Sequence, residues 1–80
     1  MVIKNGNVVS RINVNEVYYD EYYRGYMTRP LVVMTDRIET IREYNDALSG
    51  TKSRIVTMSG DSIPCKETFK ELMKMWEGEE

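Results

Sequence analysis

The apolar positions of the C-terminal third repeat with two different periods. Ser53-Arg54-Ile55-Val56-Thr57-Met58 is rich in β-branched residues and predicts a strand. Ser59-Gly60-Asp61 follows as a turn cluster in which glycine can take positive φ, and Ser62-Ile63-Pro64-Cys65 predicts a short returning strand. Pro64 has no N–H for a ladder, which places it at a sheet edge or a bulge. Then the period changes. Phe69, Leu72, Met73 and Trp76 stand at i, i+3, i+4 and i+7, one apolar face of a helix over about 68–77, with Trp76 as its core anchor. Thr68-Phe69-Lys70-Glu71 is a capping box: the threonine hydroxyl can accept from the Glu71 amide while the Glu71 carboxylate accepts from the Thr68 amide. Gly78 suits the C-terminal cap.

The middle is less regular. Leu31-Val32-Val33-Met34, after Pro30, predicts a strand apolar on both faces, hence central or at a subunit contact. Asp36-Arg37-Ile38-Glu39 can cap a helix carrying Ile38, Ile41, Tyr44 and Leu48, but Glu39 to Tyr44 can equally be a strand after a short turn. Asn45 to Lys52 reads as a loop. Near the start, Asn5-Gly6-Asn7 predicts a hairpin turn between a short strand and Val8 to Val14. Tyr18, Tyr19, Tyr22, Tyr23 and Tyr26 come next. The spacing 19, 22, 23, 26 fits a helical turn or two, whereas Gly25 and β-favouring tyrosine argue for strand ends joined by a polar Asp20-Glu21 turn. A β-hairpin arm is the preferred expectation for residues 16–26, a short helix the alternative.

These elements add up to an α+β fold: a small antiparallel sheet of about 4–5 short strands with one C-terminal amphipathic helix. Eighty residues make one domain, expected over 1–76, with 77–80 as a frayed acidic tail. A core of this size gives about 3–5 kcal/mol and has no disulfide or zinc to reinforce it, so homo-oligomerisation is expected.

Composition narrows the chemistry. There is no histidine and one cysteine, Cys65. Triads, Cys-His pairs and zinc helices all need imidazole, and no Gly-rich phosphate motif is present, so no catalytic residue, metal site or cofactor is expected and the chain reads as a non-enzyme. Cys65 reads as a buried apolar residue, and a lone thiol suggests a reducing, cytoplasmic setting. Met27, Met34, Met58, Met73 and Met75 read as gap-filling core or interface residues. The longest apolar run is Leu31–Met34, so no membrane span is expected, and the start lacks the pattern of a secretory signal. Net charge −2 gives little phosphate attraction, so duplex DNA is not the expected partner.

Three motifs carry a resemblance. Asp36-x-Ile38-Glu39-x-Ile41, Ile55-x-Thr57-x-x-Gly60 and Lys66-Glu67-Thr68-x-x-Glu71-Leu72 resemble the small flagellar FlbD family over roughly residues 36–76. The resemblance implies that Asp36 to Tyr44 is a turn entering a strand and that an antiparallel sheet carries the C-terminal helix. The loop between Ile41 and Ile55 is longer than the family's, Pro64 replaces a β-branched or aromatic residue, and residues 1–35 have no counterpart.

The unusual feature is a cluster of tyrosine and arginine. Tyrosine offers a ring to stack on a base and a hydroxyl for a polar edge, and arginine offers a fork for phosphate. The first functional expectation is a small non-enzymatic binding protein, oligomeric, that binds or sequesters an anionic nucleotide-like ligand. Its candidate residues are Tyr19, Tyr22, Tyr23, Arg24, Tyr26, Arg29 and Arg37. A phage-type nucleotide sponge is an analogy of size and surface chemistry only. The alternative is a protein-interaction or regulatory adaptor module that docks a partner protein, or completes a homo-oligomer, through the Tyr-rich arm. Beside both stands a plainer role: tyrosines packing a core or dimer interface, and arginines paired with Glu39, Glu43 or Asp46.

Overall fold

Alternation builds the sheet. In a computed structural model describing residues 2–4, 7–9 and 11–77, β1 (Val2–Lys4) and β2 (Asn7–Val9) form a two-stranded antiparallel sheet of their own. Asn5 and Gly6 of the expected hairpin turn lie outside the described residues, as does Gly78, the expected helix cap, with the rest of the acidic tail after Glu77. The main sheet is β3 (Arg11–Asp20), β4 (Gly25–Met34), β5 (Ile38–Asp46), β6 (Thr51–Thr57) and β7 (Ser62–Cys65), in the order β4-β3-β7-β6-β5 and antiparallel throughout. One helix, α1 (Phe69–Trp76), follows it. The fold is therefore the α+β sheet-and-helix arrangement that the sequence implies. No described helix is long and apolar enough to cross a membrane.

β3 and β4 pair over ten residues without a bulge, from Arg11↔Met34 to Asp20↔Gly25. At the base of this hairpin Ile12, Val14 and Val33 face inward and are buried. They join Ile38, Ile41, Ile55, Cys65 and Leu72 in one core. Leu72 is the fully buried residue of α1, and Trp76 packs against the core while half-buried. Thr68 and Glu71 make both bonds of the capping box.

Several expectations need correction. Leu31–Met34 belongs to an edge strand and not a central one: Leu31 and Val33 turn toward the core while Val32 and Met34 are exposed. The loop expected from Asn45 to Lys52 shrinks to a tight turn, because Asp46 accepts from the Leu48 amide and the Ser49 hydroxyl, and its carbonyl accepts from the Gly50 amide. Gly50 takes φ +80° there. The segment after Pro30 continues through a 3-10 turn (Thr35–Arg37) into strand β5, so the helix considered for Asp36–Leu48 does not form. That turn links the two edge strands of the sheet, β4 and β5, which three residues can do only if the sheet curls strongly.

The two prolines are placed by backbone direction. Asn15 spends its amide on Glu67 and its carbonyl on the Lys66 amide, both away from β4. Asn15 and its partner Pro30 are therefore a non-hydrogen-bonded pair, and the Pro30 nitrogen lies on the open edge where no ladder bond is lost. Pro64 sits inside the sheet and not at its edge. Since Lys66 donates to β3, Pro64 two residues earlier faces β3 too, over a stretch where β3 and β7 pair only at Glu16↔Cys65.

Candidate functional site

Residues 16–26 are the far half of the β3–β4 hairpin, so the arm forms and the short helix does not. Asp20 decides this locally. Its Oδ1 accepts from the amides of Tyr22 (2.9 Å) and Tyr23 (3.0 Å), which turns the chain within the four residues Glu21–Arg24. Arg24 closes the turn in the left-handed region at φ 56°, a conformation that costs a non-glycine residue about 1–2 kcal/mol.

The turn gathers four of the candidate tyrosines at one end of the molecule. Tyr19 and Tyr26 face each other across the ladder as a non-hydrogen-bonded pair, the type whose side chains approach most closely. Their rings meet edge to face at 5.2 Å, and those of Tyr22 and Tyr23 do so at 5.3 Å. None of the four is core: Tyr22 is 89% exposed and Tyr23 69%. Glu21 and Arg24 are exposed between them.

The other two candidate arginines are elsewhere. Register places Arg29 opposite Glu16, on the opposite face of the arm from Tyr19 and Tyr26. There its Nε donates to Glu16 Oε1 at 3.0 Å and its guanidinium covers the Tyr18 ring at 4.5 Å. Arg37 lies in the 3-10 turn beyond the base of β4. The ten residues of β4 separate it from the tip, roughly 30 Å at strand rise. Tyr19, Tyr22, Tyr23, Arg24 and Tyr26 are thus brought together, while Arg29 and Arg37 are not among them. The pairing of arginines with Glu39, Glu43 or Asp46 does not occur either: the one ion pair among the described residues is Arg29–Glu16.

The surroundings offer little enclosure. Below the tip, a shallow groove of about 270 Å³ runs between Val17, Tyr26 and Thr28 on the arm and Gly50 and Lys66 opposite. Among the described residues no three His, Cys, Asp or Glu side chains could share a metal ion. Cys65 is fully buried, and burial, followed by Glu67 and Glu16, pushes its thiol up to about 12. It is a core side chain whose thiolate form is disfavoured.

Two relationships were hidden from the sequence. Glu67, between β7 and α1, binds Asn15 of β3 with both carboxylate oxygens. Arg54 of β6 covers the Tyr44 ring of β5 at 4.3 Å. Both depend on long-range register that no local pattern carries. No family model, curated protein or solved structure matches the chain.

Proposed function

We propose that this protein is a small interaction module, without catalytic chemistry, that self-associates through the tyrosine tip of the β3–β4 arm. The observation that carries the reading is that Tyr19, Tyr22, Tyr23 and Tyr26 are all exposed at the end of the β3–β4 hairpin and are not part of the core. Tyrosine gives large contact area at low entropic cost, which suits an interface.

The occupant is a second copy of the chain. The tip holds one exposed acid and one exposed base, Glu21 and Arg24, at opposite ends of the same turn. A two-fold contact puts each against its opposite in the partner, so the tip is complementary to itself. Docking uses side chains and not strand addition along β4, because Pro30 interrupts that edge in its middle. A nucleotide at the tip of one chain would meet a single cation, Arg24, since Arg29 is held by Glu16 and Arg37 is remote. The adaptor reading is favoured over the ligand reading on that ground.

The test is the mass of Tyr22→Ala/Tyr23→Ala by sedimentation, beside its unfolding curve. The expected result is a dimeric wild type, a monomeric variant, and a stability change within about 0.5 kcal/mol, as for surface positions. A variant of wild-type mass removes the tip from the interface. A monomeric wild type removes self-association.

A further inference from the structure

The outer face of the β5–β6–β7 sheet carries two arginines in an unusual relation. Arg42 and Arg54 are direct partners across β5 and β6. The preceding pair, Ile41↔Ile55, is buried in the core, so by strand alternation the arginine pair projects from the opposite, outer face. Like charges directly opposite one another are destabilising unless something lies between them. Among the described residues no carboxylate does so: neither arginine has an acidic partner. Glu43, next along β5, pairs with the fully buried Ser53 and so belongs to the other face.

Arg54 is held in place without being neutralised. Its guanidinium lies over the Tyr44 ring at 4.3 Å, and Nη1 donates to Ser62 Oγ of β7 at 3.1 Å. These contacts fix its plane while leaving its remaining N–H groups unused, and Arg42 stands exposed beside it. Two guanidinium forks about 5.5 Å apart at the backbone, one of them pre-oriented, suit an oxyanion with several acceptor oxygens. A neutral or cationic ligand would gain nothing from such a pair.

We propose that Arg42 and Arg54, with Tyr44 and Ser62 as the supports of Arg54, form a binding site for a phosphate group on the outer face of the β5–β6 hairpin. The site is separate from the tyrosine tip and does not depend on self-association. Both arginines belong to the Arg24–Arg54 cluster of the sequence, but neither is among its ligand candidates Arg24, Arg29 and Arg37, because the pairing is created by the β5–β6 register.

The experiment follows the arginine Nε–H signals by NMR while inorganic phosphate is added at low ionic strength. Arg42 and Arg54 should shift saturably, with a midpoint about tenfold or more below any response of Arg11 or Arg37. In Arg42→Ala, an edge-strand change on the exposed face, the Arg54 response should fall to the level of the others. Adenosine monophosphate titrated in parallel identifies the source: tighter binding with shifts at the Tyr44 ring assigns a nucleotide, and equal midpoints assign the phosphate group alone. Uniform, non-saturating shifts at all arginines overturn the proposal. So does an Arg54 response unchanged by Arg42→Ala.

Discussion

Glu67 holds Asn15 with both carboxylate oxygens, accepting from the backbone amide at 2.9 Å and from the side-chain amide at 2.8 Å. The two residues are 52 positions apart, and their contact fastens the β7–α1 connection to the strand that carries the arm. The Glu67 carbonyl meanwhile accepts from the buried Ser53 hydroxyl at 2.7 Å, which ties the same connection to β6. Glu67→Gln keeps the shape but turns one acceptor into a donor facing the Asn15 amide. The expected loss is about 1.5–3 kcal/mol in urea unfolding, the range for a hydrogen bond to a charged group. Unchanged stability would mean that the pair is replaced by water at no cost.

The capping box makes a pH prediction. The Glu71 carboxyl is lowered below its ordinary range by the Thr68 backbone bond first and the Thr68 hydroxyl second, with Lys52 adding and desolvation opposing. A group lowered on folding adds stability above its unfolded pKa, and this is lost as pH falls through the folded one. Wild type should therefore lose more stability than Glu71→Gln on acidification below about pH 4.3, the free carboxyl value. Parallel curves for the two proteins would exclude the linkage. At neutral pH, Thr68→Ala should cost about 1 kcal/mol as the loss of an N-cap.

Cys65 makes the opposite prediction at alkaline pH. Its thiol is raised to about 12, so the folded state keeps the proton that the unfolded chain releases near the ordinary thiol value of 9.0. Its contribution is fully present below pH 9 and declines as pH rises from there toward 12. In native protein at pH 8 the thiol should resist alkylation by iodoacetamide and should react at an ordinary rate in urea. Fast labelling of the native protein would show that β7 opens readily.

How much of this could be read from the sequence depends on range. The capping box, Leu72 as part of an apolar helix face, and the Ser59–Asp61 turn are local, and local spacing reveals them. Tyr19, Tyr22, Tyr23 and Tyr26 fit a helix and a hairpin equally well in spacing. The hairpin wins because Asp20 caps the turn and the ladder pairs Tyr19 with Tyr26. The split of the arginines was not legible: the sequence clusters Arg24, Arg29, Arg37, Arg42 and Arg54, and only register shows that Arg29 belongs to Glu16 and that Arg42 faces Arg54. Pro64 misleads for a related reason. A proline rule identifies an unpaired backbone side, and here such a side exists within the sheet, where β3 and β7 barely meet.

Self-association through the tip has one test that distinguishes it from any general loss of folding. Glu21→Arg and Arg24→Glu each place like charges across the two-fold contact, whereas an equal mixture of the two variants restores opposite charges at both positions. Sedimentation should show each variant alone as a monomer at concentrations where wild type is dimeric, and the mixture as a heterodimer. A mixture that stays monomeric, or single variants that dimerise like wild type, would contradict the account.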